Sequence, residues 1–281
     1  MVPALVSPTQ AIILLVGANA VTAGLMLLVR RRAPEGSFFH DTTQASGVFT
    51  VAGTAYAVLL AFVFLLAFQS YNNARSAAER EATATASLYH DADAFTTPIA
   101  ARLHGELVCY ARSIIEHEWP AMAEGHASPV TIFWIARLDR TIATEQPKTV
   151  KQGNADFNWT ALGLERIGGR RDRLQEARPL IPGLVWALLG IGSTLVVIYV
   201  LFFADRRERA VVQALLMVSV TTMLGAGLVM IKFFDDPYEN VPGSIRPVAM
   251  AQALATLEST RVEEGTPAPC GPTGLPLRRA S

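Results

Sequence analysis

Charge is scarce in this sequence. Only 17% of its 281 residues are Asp, Glu, Lys or Arg, against roughly a quarter in an ordinary soluble domain, so the groups that keep a surface wet are in short supply. Neither sign dominates, since 24 Lys plus Arg balance 24 Asp plus Glu. A neutral chain lacks the basic footprint that phosphate-backbone binding requires, which removes nucleic acid as a partner. Cysteine is nearly absent. Cys109 and Cys270 are too few and too far apart for a disulfide framework or a cysteine-rich zinc site. No strand-like alternation of useful length occurs. There is no glycine-rich phosphate loop, no Gly-x-Ser-x-Gly elbow and no His-Glu-x-x-His spacing among the five histidines, so no catalytic residue, cofactor or enzyme class is implied.

What is abundant is apolar, and it is unevenly spread. Four blocks, 12–29, 47–68, 181–204 and 210–231, contain no Asp, Glu, His, Lys or Arg and run 18, 22, 24 and 22 residues. A helix crossing a hydrocarbon core about 30 Å thick needs about 20 apolar residues. Backbone amides in lipid find no water, so such runs must be helical. The fold class expected is an all-α integral membrane protein, its four transmembrane helices forming two hairpins with a helical insert between them. The first block is not a secretory signal, although Ala18-Asn19-Ala20 has the look of a cleavage site. No Lys or Arg precedes Ile12, and positive charge follows the run instead, at Arg30-Arg31-Arg32.

The expected organisation is a transmembrane hairpin over 1–74, an extramembrane insert over 75–178, a second hairpin over 179–234, a membrane-proximal helical segment over 235–260 and a disordered tail over 261–281. In the insert, Ile99, Leu103, Leu107, Tyr110 and Ile114 recur at helical spacing, which predicts an amphipathic helix over 98–118. Trp119-Pro120 should end it, since the residue before proline is pushed out of the α region. Ser128-Pro129 is an N-cap followed by proline at the first helical position and predicts a helix striped with Ile132, Ile135, Leu138 and Ile142. Pro147, Gly153 and Asn154 predict a loop over 146–158, followed by an amphipathic helix carrying Leu162, Ile167 and Leu174. The Gly- and Pro-rich run from Gly265 to Pro276 predicts the disordered tail.

Three motifs carry a family resemblance. Phe68-Gln69-Ser70-Tyr71-Asn72-Asn73-Ala74-Arg75, with Glu79 one turn on, resembles the end of the second span of bacterial bestrophins. Asp235-Asp236-Pro237-Tyr238 after span four, with an amphipathic stretch over 247–258, is similar to theirs too. Glu116-His117-Glu118-Trp119-Pro120 resembles the Glu-Trp-Pro feature of uncharacterised bestrophin-like bacterial membrane proteins. Ser76-Ala77-Ala78 replaces the paired tryptophans of true bestrophins, and Tyr238 their phenylalanine, so the resemblance is to the bestrophin-like family. It implies a multi-pass protein of the plasma (inner) membrane, a homo-oligomer, and, by analogy with the channels, an inorganic anion as permeant species. It also matches Leu60, Phe64 and Phe68 to the apolar neck that lines the channel pore.

From the residues themselves, that row has two readings. Spaced i, i+4, i+8, Leu60, Phe64 and Phe68 suit a constriction that gates by dewetting, or packing against lipid or another helix. Gly53, Ala57 and Ala61 form a small-residue ridge that lets helices approach closely, as do Gly190 and Gly192 in span three and Gly225 and Gly227 in span four. Thr50, Thr54, Thr194, Thr221 and Thr222 would line a polar path or bond their own helices. The absence of ionisable residues from the spans weakens proton-coupled transport. No metal site is expected. Asp235 and Asp236 are the most suggestive acids, yet two aspartates fall short of the six to eight oxygens calcium takes. His90, Asp91 and Asp93 read as solvated surface, and Glu116 and Glu118, two apart, cannot share a helix face. The second functional reading is a non-conducting membrane scaffold or sensor acting through the insert.

Orientation sets two arguments against each other. The short connections hold Arg30, Arg31, Arg32, Arg206, Arg207 and Arg209, and arginines in short loops stay cytoplasmic, the first span usually dominating. That places the insert and both termini outside the cytoplasm. The bestrophin resemblance implies the reverse.

Overall fold

The structure, a computed structural model, describes residues 7–35, 37–144, 149–265 and 267–277. Its α-helices are α1 (Pro8–Arg32), α2 (Thr42–Asp91), α3 (Thr97–Ser113), α4 (Trp119–Ala123), α5 (Pro129–Ile142), α6 (Val150–Glu176), α7 (Gly183–Phe202), α8 (Ala210–Asp235) and α9 (Val248–Glu264). Among the described residues there is no strand, only one isolated bridge between Cys270 and Pro276. Helices α1, α7, α8 and the long helix α2 are long and apolar enough to cross a membrane. The chain divides into two compact units, one of residues 1–70, 179–236 and 241–243, the other of 71–178, 237–240 and 244–281.

The first unit contains α1, the apolar part of α2, α7 and α8. Helix α1 opens on a capping box between Ser7 and Gln10 and closes on three arginines that suit the negative end of its dipole. It lies along α8, with Asn19 Nδ2 donating to Thr222 Oγ1 at 2.9 Å and Thr221 Oγ1 to Thr22 Oγ1 at 3.1 Å. The notched glycines are used. A Cβ on Gly225 would meet the Leu15 side chain, one on Gly227 that of Leu60, and one on Gly192 the Tyr56 ring. Tyr56 in turn donates to the Leu189 carbonyl at 2.8 Å and lies 2.6 Å from the Ser193 hydroxyl. Without a hydrophobic force between helices in lipid, such close approaches and interhelical hydrogen bonds are what hold spans together. Thr50, Thr194 and Thr221 bond carbonyls of their own helices. One small buried apolar cluster centres on Met26, Ala33, Ala204 and Met217, while Ile13, Val58, Leu184 and Val211 are open.

The second unit is built like a water-soluble domain. Leu103, Leu107, Tyr110 and Ile114 of the predicted stripe are buried against Trp134 and Leu138 of α5 and Trp159 of α6, each such side chain contributing about 1.5–3 kcal/mol of burial. Helix α5 begins at Pro129, with the Ser128 side chain accepting from Val130 N.

Four expectations are corrected. Trp119-Pro120 does not end the helix: residues Ile114–Glu118 form a π-turn, with Trp119 N bonded to the Ile114 carbonyl, and α4 continues through Pro120. The wider turn makes room for the proline ring, which in a regular α-helix clashes with the i−4 carbonyl. The expected loop over 146–158 is helical from Val150, because Thr149 caps α6 by accepting from Gln152 N; residues 146–148 lie outside the described residues. The two cysteines are joined, Cys109 to Cys270 across 161 positions, and both are buried. The tail beyond 260 is built, not loose. Helix α9 reaches Glu264 and stops at Gly265, whose φ of +67° is the left-handed C-cap conformation glycine favours. Residues 267–277 then return over α3 and α5: Trp134 Nε1 donates to the Gly274 carbonyl at 2.7 Å, and Arg112 Nη1 to that of Gly271 at 3.0 Å. Composition alone reads such a Gly/Pro run as disordered; a covalent tie and paired carbonyls fix it. Positions 266 and 278–281 of the expected tail lie outside the described residues.

Candidate functional site

Two places gather the residues singled out by sequence. The first is one face of α2 in the first unit. At 100° per residue, Leu60, Gly53, Phe64, Ala57, Phe68 and Ala61 fall within about 100° of arc, so the aromatic row and the small-residue ridge share a face. Leu60 leans on the notch at Gly227. Phe64 and Phe68 present their edges to Phe234 of α8, with ring centroids 5.6 and 5.2 Å apart. They remain 36% and 41% exposed, and Ala57 and Ala61 are exposed as well. Gly53 instead faces α7 across a small cavity of about 130 Å³ lined by Tyr56, Gly192 and Tyr199. One side of the row is thus packed within the subunit and the other is open.

At the ends of the spans, Asp235 and Asp236 part company. Asp235 Oδ1 accepts from Leu180 N at 2.8 Å and Ile181 N at 3.0 Å, fastening the approach to α7 onto the end of α8. Asp236 is ion-paired with Lys232. Among the described residues no group of three or more His, Cys, Asp or Glu side chains is placed to hold a metal ion. His90, Asp91 and Asp93 do not converge either: Asp93 lies 3.2 Å from His104, whose ring stacks on Tyr89.

The second place is in the second unit, where parts of all three sequence motifs meet. The Tyr238 hydroxyl donates to the Ala74 carbonyl at 2.9 Å, and the Trp119 ring stands edge-on to Tyr238 at 5.4 Å. Trp119 Nε1 donates to the Ile245 carbonyl at 3.1 Å, and Ile245 N to that of Pro237 at 2.8 Å. Beneath them lies a charge network that sequence reasoning missed. Arg173 is fully buried between Glu81, at 2.6 Å, and Glu118, at 2.8 Å. Glu118 also takes Arg170, and Glu81 accepts from the Tyr110 hydroxyl at 2.5 Å. Burial works against the Arg173 charge, but Glu81 and Glu118 outweigh it and hold the guanidinium above its ordinary pKa. Burial, reinforced by the Glu81 charge, raises the Tyr110 hydroxyl, and burial raises Tyr238. Helix α6 gets this near to α2 at Gly169, where a Cβ would sit 2.8 Å from Glu81 N. The double glycine Gly168-Gly169 beside four arginines was the available signal. Among the described residues these groups are paired with one another and, Arg170 apart, buried, which makes the network a fixed piece of the core.

A family model described as a Bestrophin-like domain matches residues 16–243. The chain belongs to the bestrophin-like family. The bestrophin-like fold extends to solved structures. A mutant of a bacterial bestrophin homologue from Klebsiella pneumoniae superposes with a TM-score of 0.66 at 13% identity, covering 89% of this chain and 97% of that one. A second mutant of that homologue gives 0.65 at 14% identity over 88% and 98%. A crystal structure described as a membrane protein gives 0.64 at 14% identity over 87% and 97%. At these identities the likeness is one of fold. No curated protein matches the sequence. In this bestrophin-like chain the motifs that carried the resemblance are joined in space: Tyr238 bonds Ala74 and packs on Trp119, while Trp119 and Pro237 both bond the backbone of Ile245.

Proposed function

We propose that this protein is a homo-oligomeric anion channel of the inner membrane, in which α2 from each copy faces a shared axis and Leu60, Phe64 and Phe68 form its apolar neck. The observation that supports the reading most is the open, unpartnered side of that row, on the same helix face as the small residues Ala57 and Ala61. Four apolar helices give it a bilayer to span, and family membership gives the analogy to a channel. The spans carry no charge, so selectivity and gating fall to the ring of apolar side chains, where a narrow pore dewets. Reconstitution of the purified oligomer in planar bilayers tests this: selective unitary currents are expected, and a well-folded oligomer that stays silent contradicts it.

The orientation that fits best puts the insert and both termini outside the cytoplasm. The two short connections adjoin in the first unit: Arg30 Nη2 donates to the carbonyls of Arg206, at 3.0 Å, and Glu208, at 2.6 Å, and Arg207 pairs with Glu35 at 3.1 Å. Six arginines therefore gather at one end, the end retained in the cytoplasm. The disulfide Cys109–Cys270 supports the same orientation independently, because such bonds persist in oxidising compartments and are rare in the cytosol. A second function, a membrane scaffold or sensor working through the insert, is favoured by one observation: the second unit, which holds the insert, has a compact core.

A further inference from the structure

Arg166, on α6, is 3% exposed, and its Nε and Nη1 have no hydrogen-bond partner. Among the described residues no acidic side chain lies within ion-pair distance of it. Its guanidinium rests on the Tyr110 ring, 4.8 Å from the centroid. Glu81, which bonds the same Tyr110, is taken, since one of its oxygens accepts from Tyr110 and the other from Arg173. A buried guanidinium without an anion is costly, and proteins rarely leave one so.

The same arginine lines a cavity of about 190 Å³ between α2, α5 and α6, in the second unit. The rest of the wall is apolar in the main: Leu88, Leu138, Ile142, Trp159 and Ile167. An apolar wall with one fixed charge is how proteins hold small amphiphilic ligands, the charge setting orientation and the wall supplying affinity. We propose that this cavity binds a small organic monocarboxylate, with its apolar body against Trp159 and Leu138 and its carboxylate on Arg166. A guanidinium is suited to this, because it stays charged when buried and gives charge-assisted hydrogen bonds to a carboxylate. The volume limits the ligand to about the size of an aromatic acid, below the ordinary drug-sized range of 300–1,000 Å³. One other charged group borders the cavity, Asp139, which is exposed at its rim. It repels a carboxylate ligand weakly through water. The site belongs to the second unit and uses none of the residues of the proposed neck, so it holds whether or not the protein conducts.

The test uses the full chain in nanodiscs of zwitterionic lipid, with phenylacetate as probe and its neutral isostere phenylacetamide as control, followed by calorimetry and by quenching of tryptophan fluorescence. Saturable binding of phenylacetate is expected, about tenfold or more tighter than phenylacetamide, as a charge-assisted hydrogen bond requires. Arg166→Gln should bring the two probes level. Should Arg166→Gln not fold, Gly163→Leu decides: a Cβ at Gly163 meets nothing within 4 Å, so a leucine started there grows into the cavity, and should abolish binding at a melting temperature that is unchanged or raised, since glycine inside a helix is unfavourable. Asp139→Asn should leave phenylacetate affinity unchanged or raise it. Equal affinity for acid and amide, no saturable binding, binding that survives Gly163→Leu, or binding that appears only in Asp139→Asn would overturn the proposal.

Discussion

The two units solve opposite problems with the same chain. In the first, α1, α7 and α8 carry Leu, Val and Ile outward and bury little among themselves; Leu184 is 82% exposed. In the second, the aromatic and aliphatic side chains are inside, and even the charges have gone in, Arg173, Glu81 and Glu118 each exposed by 1% or less. A water-soluble domain cannot leave that much leucine open, and a unit facing lipid has no need of a deep core. The contrast in what is buried agrees with the length of the helices: the first unit has the surface that suits a lipid bilayer, and the second has the core of a domain built for water.

The comparison can be broken most forcefully at the disulfide. Only the second unit is closed covalently, and a loop of 161 residues is worth about 5 kcal/mol by chain entropy. Cys270→Ser should therefore lower the melting transition of the second unit strongly and free residues 267–277 from α3, as seen by calorimetry and by hydrogen exchange at Gly271 and Gly274. Next comes Arg173→Met, which leaves buried Glu81 with no cationic partner and Glu118 with Arg170 alone, and should cost about 3–5 kcal/mol. The same transition reads it, while the first unit's helix content in detergent should not change. In the first unit the effects fall on function instead of stability. Phe64→Ala, which widens the proposed neck, should raise single-channel conductance or leak in planar bilayers; no more leak than the parent, in a normally folded protein, leaves packing on Phe234 as the whole role of Phe64. Smallest is Ala57→Leu, which should reduce the oligomer trapped by cross-linking in mild detergent without altering the fold, because Ala57 is open in the single chain. An unchanged oligomer would mean that the ridge serves no contact between copies.

Legibility in the sequence follows the same divide. The apolar spans were visible because lipid demands an uninterrupted run, a property of adjacent residues. The start of α5 was visible for a similar reason, Ser128 and Pro129 being neighbours. What escaped depends on residues far apart. The Glu81–Arg173 and Glu118–Arg173 pairs span 92 and 55 positions, and nothing local marks them except the glycines that let α6 approach α2. The polar half of α2 hid its continuity: past Arg75 it has no apolar run, yet Ala74, Ala77, Ala78, Ala82 and Ala84 keep it helical and bury its inner side. Pro120 misled because a proline usually stops a helix, and the π-turn that rescues it has no signature in five residues. The tail misled because its composition says disorder, while the cysteine that holds it lies on α3. Of the candidate site, the α2 row is legible as a spacing of three residues on one helix, whereas nothing near Arg166 in the sequence marks it as buried.

The central claim is that the apolar unit spans the membrane with the insert on its oxidising side. Asn154, exposed on α6, offers the most direct test. With Cys109 and Cys270 changed to Ser, Asn154→Cys in intact cells should react with a membrane-impermeant maleimide to the same extent as after lysis. Labelling that appears only after lysis would place the insert in the cytoplasm and contradict the account.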